Sequence, residues 1–218
     1  MTELPDLQAL NVRRSIRDEV GNALRAALVS GELRPGQTYS APMLAAQFGV
    51  SATPVREAML DLVKEGMFVT APNKGFRVRE LSDRELDEIT EIRRFLEVPG
   101  TVAVIDAFVP RDLPPLKRIA GRIVEAAGKK DLIAFVENDR QFHLGLLEIG
   151  GNSELVKLVG SLRARSRLYG IGRLAETGEL GVSAHEHIMM LDLIEAKDKA
   201  GLAELMEVHI SHVRGDNA

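Results

Sequence analysis

The stretch from Gly49 to Gly66 constrains the fold most, because it specifies a helix whose two ends are both marked. Ser51 stands at an N-cap position, Pro54 falls in the first turn, where no helical hydrogen bond needs its N–H, and Gly66 suits a left-handed helix end. Apolar residues at helical spacing predict a buried face of Val55, Met59, Leu62 and Val63. Three residues face outward near the positive pole of the helix dipole, which favours phosphate: Ala52, Thr53 and Arg56.

The segments on either side of this helix predict a winged helix-turn-helix. Ser40 to Val50 reads as a short capped helix that ends in a glycine turn, so the following helix would be the reading element. Phe68 to Ala71 and Phe76 to Val78 flank the turn residues Pro72-Asn-Lys-Gly, which predicts a hairpin. The alternative is a helical core fragment with an incidental hairpin. We favour the winged form and place a DNA-binding domain at residues 1–79.

From Ser82 onward the pattern is helical throughout. Ser82-Asp-Arg-Glu is a capping box that opens the first helix, and breaks containing Pro, Gly or Asn separate the later ones. Six helices are predicted: Asp83–Phe108, Leu113–Ala127, Asp131–Gly150, Ser153 to about Arg173, Val182–Ala196 and Ala200–Val213. Such helices bury their apolar stripes only against each other, so residues 80–218 are predicted to form an all-α helical bundle. The predicted fold class is therefore mainly α.

Polar residues interrupt the apolar stripes of three of these helices. Asp139 and His143 fall on one stripe, four residues apart, while His187 and His209 fall on two others. A buried carboxylate without a partner is costly, so Asp139 requires a cation. Three imidazole nitrogens and one carboxylate oxygen suit zinc, nickel, manganese or iron. The alternative for any single histidine is an ordinary core or surface imidazole, but four such residues together favour a metal site.

Composition bears on compartment and on nucleic-acid binding. The 218 residues include no Cys, no signal-peptide segment and no run of transmembrane length, which predicts a cytoplasmic protein that is not bound to a membrane. The formal net charge is −4, yet residues 1–80 hold ten Lys or Arg against nine Asp or Glu. Electrostatics therefore permits DNA binding by the first domain without predicting it.

The motif Gly49-Val-Ser-x-Thr-Pro-Val-Arg-Glu-Ala, with Leu33-Arg-Pro-Gly and the Asn-Lys-Gly wing, resembles the DNA-binding domain of the GntR family of bacterial transcription regulators. The resemblance implies a double-stranded DNA operator. Its contact residues would be Ser51, Thr53 and Arg56 for the major groove or its phosphates, and Lys74 and Gly75 for the minor groove. Ala52 and Pro42 stand where the family usually has arginines, so base preference should depart from the family norm.

Residues 82–218 resemble the FCD effector-binding domain of the FadR branch of that family. The residues that carry the resemblance are Asp139-Arg-Gln-Phe-His143, Gly151-Asn152, Glu186-His187 and His209. The resemblance implies that Asp139 and the three histidines bind a divalent metal, zinc first among the candidates, and that the metal holds a small carboxylate effector. Arg93 matches an arginine that could meet this carboxylate, and its alternative is a surface ion pair with Glu97.

Together these patterns predict a homodimeric, metabolite-responsive transcription regulator that is not an enzyme. Two alternatives remain: a metal-dependent hydrolase that uses the same Asp and three His, and a regulator whose metal is purely structural. A basic run on one helix is expected to form a solvated face rather than line a pocket. The run consists of Arg163, Arg165, Arg167 and Arg173.

Overall fold

The computed structural model describes residues 15–212, apart from the side chains of residues 167–169, 172, 173 and 176. Within that range the first elements are α1 (Ile16–Val29), β1 (Thr38–Tyr39), α2 (Ala41–Phe48), α3 (Ala52–Lys64), β2 (Phe68–Ala71) and β3 (Gly75–Val78). They are followed by α4 (Asp83–Ala107), a short 3-10 turn (Pro110–Asp112), α5 (Leu113–Lys129), α6 (Leu132–Ile149), α7 (Ser153–Thr177), α8 (Leu180–Glu195) and α9 (Lys199–Ser211). The predicted mainly α fold, a winged helix-turn-helix followed by a helical bundle, is confirmed.

The winged part places α1, α2 and α3 against a three-stranded antiparallel sheet of order β1-β3-β2. Strand β3 pairs with β2 through Phe68 opposite Val78, and with β1 through Thr38 opposite Arg77. The two-residue strand β1 was not predicted, because a segment this short has no periodicity to detect. It extends the hairpin into a sheet and ties the wing to the start of α2.

Local sequence explains the ends of α2 and α3. The Ser40 hydroxyl accepts a hydrogen bond from the backbone N–H of Met43, which caps α2, and Gly49 ends this helix with φ of +67°. Helix α3 ends just before Gly66. This glycine has φ of +78°, the left-handed conformation that was predicted for the end of the helix. Val55, Met59 and Leu62 are fully buried, and the partly buried Val63 packs against the same core.

The helical bundle has its own core, which α4, α5, α6, α7, α8 and α9 surround. All six predicted helices are present, and most of their ends lie within two residues of the prediction. Helix α4 starts with the predicted capping box, in which the Ser82 and Glu85 side chains each bond to the other's backbone N–H. Among the residues from 15 to 212, no helix is both long and apolar enough to cross a membrane.

The winged part and the bundle pack directly against each other. Val29, at the end of α1, contacts the core of the bundle, while Ala164 of α7 contacts the core of the winged part. Each part thus inserts a small apolar side chain into the edge of the other.

Substituting alanine for Gly75 should destabilise the wing. Gly75 has φ of +116°, and a Cβ there would collide with the carbonyl oxygen of Tyr39 and lie 3.0 Å from the Cα of Ser40. We expect a loss of about 1–3 kcal/mol, the usual size of backbone strain, in urea unfolding followed by circular dichroism. Gly121→Ala is the control, since a Cβ on Gly121 of α5 meets nothing within 4 Å. Equal stability of the two variants would contradict the close contact between β1 and the wing.

Candidate metal centre and DNA-binding surface

Three helices of the bundle bring Asp139, His143, His187 and His209 together. Asp139 and His143 lie one turn apart on α6, His187 lies on α8, and His209 lies near the end of α9. All four side chains are buried, and each offers one ligand atom within 4.8 Å of the other three. The structure thus gathers the four residues that the sequence predicted as metal ligands.

The spacing of the donor atoms suits a small divalent cation. Nε2 of His143 lies 3.1 Å from Nε2 of His187 and 3.0 Å from Nε2 of His209. Oδ1 of Asp139 lies 3.2 Å from Nε2 of His187. Ligands about 2.0–2.1 Å from a tetrahedral zinc would be about 3.3 Å apart, which these three distances approach. Oδ1 of Asp139 lies 3.8 Å from Nε2 of His143, and all four donor atoms lie within 4.8 Å of one another, so the remaining pairs would have to draw closer around the ion.

Hydrogen bonds on the far side of two rings orient their lone pairs toward this centre. Nδ1 of His187 donates to the carbonyl oxygen of Ala184 at 3.2 Å, and Nδ1 of His209 donates to Glu186 at 2.6 Å. Because a neutral imidazole carries one N–H, Nε2 of each ring is then an acceptor. Two imidazole lone pairs and a carboxylate oxygen thus converge, an arrangement that a cation between them would stabilise.

The pKa values of His143 and His209 favour the neutral form that a metal would require. Burial lowers the pKa of His209 to about 3 despite the nearby Glu186 carboxylate, and burial together with Arg163 holds the pKa of His143 well below its ordinary value. Burial alone would raise the pKa of Glu186, but hydrogen bonds from His209 and His212 outweigh it and lower this pKa to about 2. Neutral imidazoles beside an ionised second carboxylate form the arrangement that metal ligation needs.

A buried ionic network joins the cluster to α4 and α7. Nη2 of Arg163 donates to Oδ2 of Asp139 at 2.8 Å, and Nη1 of the same residue bonds to Glu97. Arg163 is only 3% exposed, so the expectation that the basic run forms a solvated face is wrong at this position. It is buried because its guanidinium lies between two buried carboxylates. The side chains of Arg167 and Arg173 lie outside the described residues.

Arg93, the predicted effector-binding residue, belongs to the same network. Its Nε donates to Oε1 of Glu97 at 2.6 Å and its Nη1 donates to Ser166 at 3.2 Å. The ion pair with Glu97 considered above is present, although it is 1% exposed rather than at the surface. Arg163 and Arg93 outweigh the effect of burial and lower the pKa of Glu97, which keeps this carboxylate ionised. A role for Arg93 toward an effector stays a prediction.

The two histidines outside the predicted ligand set lie apart from the donor cluster. His185 is exposed on α8 and its Nδ1 lies 2.9 Å from the carbonyl oxygen of Gly181. His212 is buried, and its Nε2 lies 2.8 Å from Oε1 of Glu186. His212 therefore touches the centre through Glu186, which it shares with His209.

Sequence reasoning missed the roles of Arg163 and Glu186. Arg163 stands at helical spacing from the buried Val159, Leu162 and Ser166, so it interrupts a buried stripe just as Asp139 does. This interruption indicates that Arg163 is buried. The neighbouring arginines led instead to the prediction of a solvent-exposed face. Nothing in the local pattern marks Glu186 as the partner of His209, because that contact joins two helices.

The residues predicted to contact DNA are accessible. Ser51, Thr53 and Arg56 are exposed at the amino-terminal half of α3, and Lys74 is exposed at the tip of the wing beside the partly exposed Gly75. Ser51 occupies the N-cap position but makes no capping hydrogen bond with its side chain. Its hydroxyl group is thus left for another partner, and the contacts themselves stay predictions.

Comparison with known proteins agrees with both parts of the chain. Residues 16–78 match the family model for bacterial regulatory proteins of the gntR family, and residues 88–212 match the model for the FCD domain. Together these matches span most of the chain. The gntR model and the relatives described next are transcription regulators, which favours regulation over the hydrolase alternative.

Individual relatives extend the match over nearly the full length. The HTH-type transcriptional regulator McbR of Escherichia coli is 32% identical over 203 residues, which cover 90% of this chain and 92% of McbR. The Nta operon transcriptional regulator of Aminobacter aminovorans is 30% identical and covers 84% of the chain and 85% of its own length. The solved structure of E. coli McbR/YncC superposes with a TM-score of 0.76 at 30% identity, over 91% of this chain and 95% of that one. The chain belongs to the gntR family of bacterial regulatory proteins with an FCD domain and is a DNA-binding transcription regulator.

Proposed function

We propose that this regulator binds its operator as a homodimer and that a small carboxylate, bound at a divalent metal inside the bundle, controls its operator affinity. Residues 1–79 would bind DNA and residues 80–218 would bind metal and effector. Asp139, His143, His187 and His209 would hold the metal, with zinc as the first candidate. The homodimer follows from the usual two-fold symmetry of helix-turn-helix operators, in which two half-sites lie one helical turn apart. Such a regulator would work in the cytoplasm.

The single observation that carries the metal assignment is the convergence of acceptor atoms in a buried site. Nε2 of His187 and Nε2 of His209 both carry lone pairs, since each ring donates from its Nδ1 to a carbonyl or carboxylate oxygen. Nε2 of His143 lies near both atoms but carries at most one hydrogen, so it can fully satisfy only one of them. A buried acceptor without a donor costs about 1–3 kcal/mol. A bound cation would serve both lone pairs together and would offer a Lewis-acidic position to an oxygen ligand.

A count of buried charges favours an anionic ligand. Arg93 and Arg163 are two cations, and Glu97, Asp139 and Glu186 are three carboxylates, all within the same network or one contact from it. A divalent cation would leave this group with one positive charge in excess. Because an unbalanced buried charge is costly, a carboxylate on the metal would complete the site.

The competing possibility is a metal that only stiffens the bundle. It shares every ligand with the regulatory site, so geometry alone does not separate the two. The two possibilities differ in linkage. An effector that binds the metal and alters operator affinity must itself bind with a different affinity when operator is present. A structural metal would raise stability without this reciprocal effect.

Arg56→Ala should reduce specific operator binding about 5- to 150-fold, which corresponds to the roughly 1–3 kcal/mol of a good arginine contact in the major groove. The measurement is fluorescence anisotropy on a labelled fragment from upstream of the coding sequence, against a scrambled fragment, at two salt concentrations. Lys64→Ala is the matched control, because Lys64 is exposed at the opposite end of α3 and pairs with Asp61. If Arg56→Ala and Lys64→Ala bind alike, α3 does not read DNA through its amino-terminal half.

The same assay tests regulation. Operator affinity is compared in chelator, in zinc, and in zinc with each of a panel of small carboxylates. A carboxylate that shifts operator affinity only when zinc is present supports the proposal. Zinc that stabilises the protein while no carboxylate in the panel changes operator affinity would favour the structural metal.

A further inference from the structure

The segment of α7 that follows the buried arginine forms the contact with the winged part. Arg163 faces into the bundle, where it donates to Asp139 and Glu97. The next residue, Ala164, packs against the core of the winged part. Consecutive residues of one rigid helix thus touch a candidate metal ligand and the DNA-binding part of the chain.

Arg165 then meets the end of α3. A Cβ placed on Gly66 would lie 2.8 Å from Cδ and 2.9 Å from Cγ of Arg165, so the aliphatic stem of the arginine lies directly against the glycine backbone. Gly66 has φ of +78° and its N–H bonds to the carbonyl oxygen of Val63 at 3.0 Å. The contact therefore falls on the turn that ends α3. Any side chain at position 66 would occupy the space of the Arg165 stem.

The contact of Arg165 depends on its stem rather than on an ion pair. Within the described residues its Nε is buried without a hydrogen-bond partner. Burial, and then the neighbouring Arg79, lower the pKa of Arg165, whereas Glu85 acts in the opposite direction. Glu85 also lies 3.4 Å from Arg79. Since the local charges do not favour this arginine, packing of its methylene groups on Gly66 is the contact that places this side chain.

Helix α6 also contacts the winged part, through α1. Arg25 of α1 in turn pairs with Glu65, the residue just before Gly66. Both helices that carry the Asp139–Arg163 pair therefore contact the winged part.

We propose that Arg163, Ala164 and Arg165 of α7 couple the metal site to α3, with the Arg165 stem on Gly66 as the point of contact. This coupling rests on the proposed function, because it supplies the route by which site occupancy reaches the DNA-binding part. A cation bound at Oδ1 of Asp139 would repel the guanidinium of Arg163, which bonds to Oδ2 of the same carboxylate. The resulting shift of Arg163 moves α7 as a unit, since packed helices move as rigid bodies, and Arg165 carries the movement to Gly66.

The test is amide hydrogen exchange of the whole chain in chelator and in saturating zinc. We expect zinc to change exchange at residues 62–67 by about fivefold or more, the low end of usual coupling between sites, and by more than at residues 41–48 of α2, the internal reference. Arg165→Ala should reduce this zinc response at residues 62–67 to the level of the reference. Zinc affinity, measured by competition with a chromogenic chelator, should be unchanged.

Two further variants make the result specific. Arg165→Met keeps most of the methylene stem and should retain the wild-type response, whereas Arg165→Ala removes it. Lys157→Ala changes an exposed cation near the start of the same helix, whose partner is Glu154, and should also behave like the wild type. Retention of the full response by Arg165→Ala, or loss of zinc binding in that variant, would overturn the assignment.

The outcomes also separate this coupling from the proposed function. A zinc response confined to residues 88–212 in the wild type would overturn the coupling whatever the operator assay shows. A response that reaches residues 62–67 and depends on Arg165, while no metal or carboxylate changes operator affinity, would leave the coupling standing and overturn the proposed regulation.

Discussion

His187→Ala is expected to abolish the stabilisation of the protein by zinc. Ligand that binds only the folded state contributes about 4 kcal/mol at a thousand times its Kd, which for a chain of this size corresponds to a rise of roughly 8–16 °C in Tm. His187 supplies one of four donor atoms and is fully buried. Its loss removes a ligand and leaves Asp139 without its nearest imidazole partner in the cluster.

The measurement is the difference in Tm between zinc and chelator by differential scanning calorimetry. This difference is used because the cavity left by His187→Ala would by itself lower Tm in both conditions. His185→Ala is the matched control: it lies two residues away on α8, exposed at the surface, and should keep the full zinc shift. Equal zinc shifts in the two variants would show that the histidine cluster does not bind zinc.

A substitution at Glu186 should reduce the zinc-induced shift in Tm only in part. The Glu186 carboxylate accepts from Nδ1 of His209 and lies 2.8 Å from Nε2 of His212, so it orients the ligand without touching the donor cluster itself. Glu186→Gln should weaken zinc binding about 10- to 100-fold, the usual effect of removing a partner behind a metal ligand. The zinc shift should therefore shrink rather than vanish.

Arg163→Met is expected to destabilise the metal-free protein by about 3–5 kcal/mol, the cost of removing one partner from a buried ionic contact. Arg163 is the shared cation of Glu97 and Asp139, and all three side chains are at most 3% exposed. Methionine fills much of the same volume, so the loss would arise mainly from charge. Arg93 still pairs with Glu97, and Asp139 loses its guanidinium partner.

The metal should reduce this cost, because a bound cation would supply Asp139 with the positive charge that Arg163→Met removes. The free energy of unfolding is measured in urea, with chelator and with zinc, and the loss caused by the substitution should be smaller in zinc. Arg122→Met is the control: this exposed arginine of α5 bonds to Asn138 and Gln141, and its loss should cost less than about 0.5 kcal/mol. A loss of the same size in zinc and in chelator would mean that the cation does not act on Asp139.

The local sequence predicted the six helices of the bundle and the hairpin, though not β1, and it singled out the four residues of the donor cluster. Helix ends are set by residues within one turn of each other, and the capping boxes, glycines and prolines named above predicted them to within a few residues. The candidate ligands were also found locally, because Asp139 and His143 interrupt the apolar stripe of a single helix. The apolar stripe of a helix predicts which face is buried. A polar side chain on that face is costly unless another group inside the protein binds it.

The identity of those partners depended on the tertiary structure. Arg163 belongs to a run of arginines that looks like a solvated face, and only the packing of α7 between α4 and α6 places its guanidinium between Glu97 and Asp139. The same holds for Glu186 beside His209 and for the Arg165 stem on Gly66, which lies 99 positions earlier in the chain. Periodicity in the sequence specifies which face of a helix is buried. The residues that contact this face depend on the packing of the whole chain, and no local sequence pattern encodes that packing.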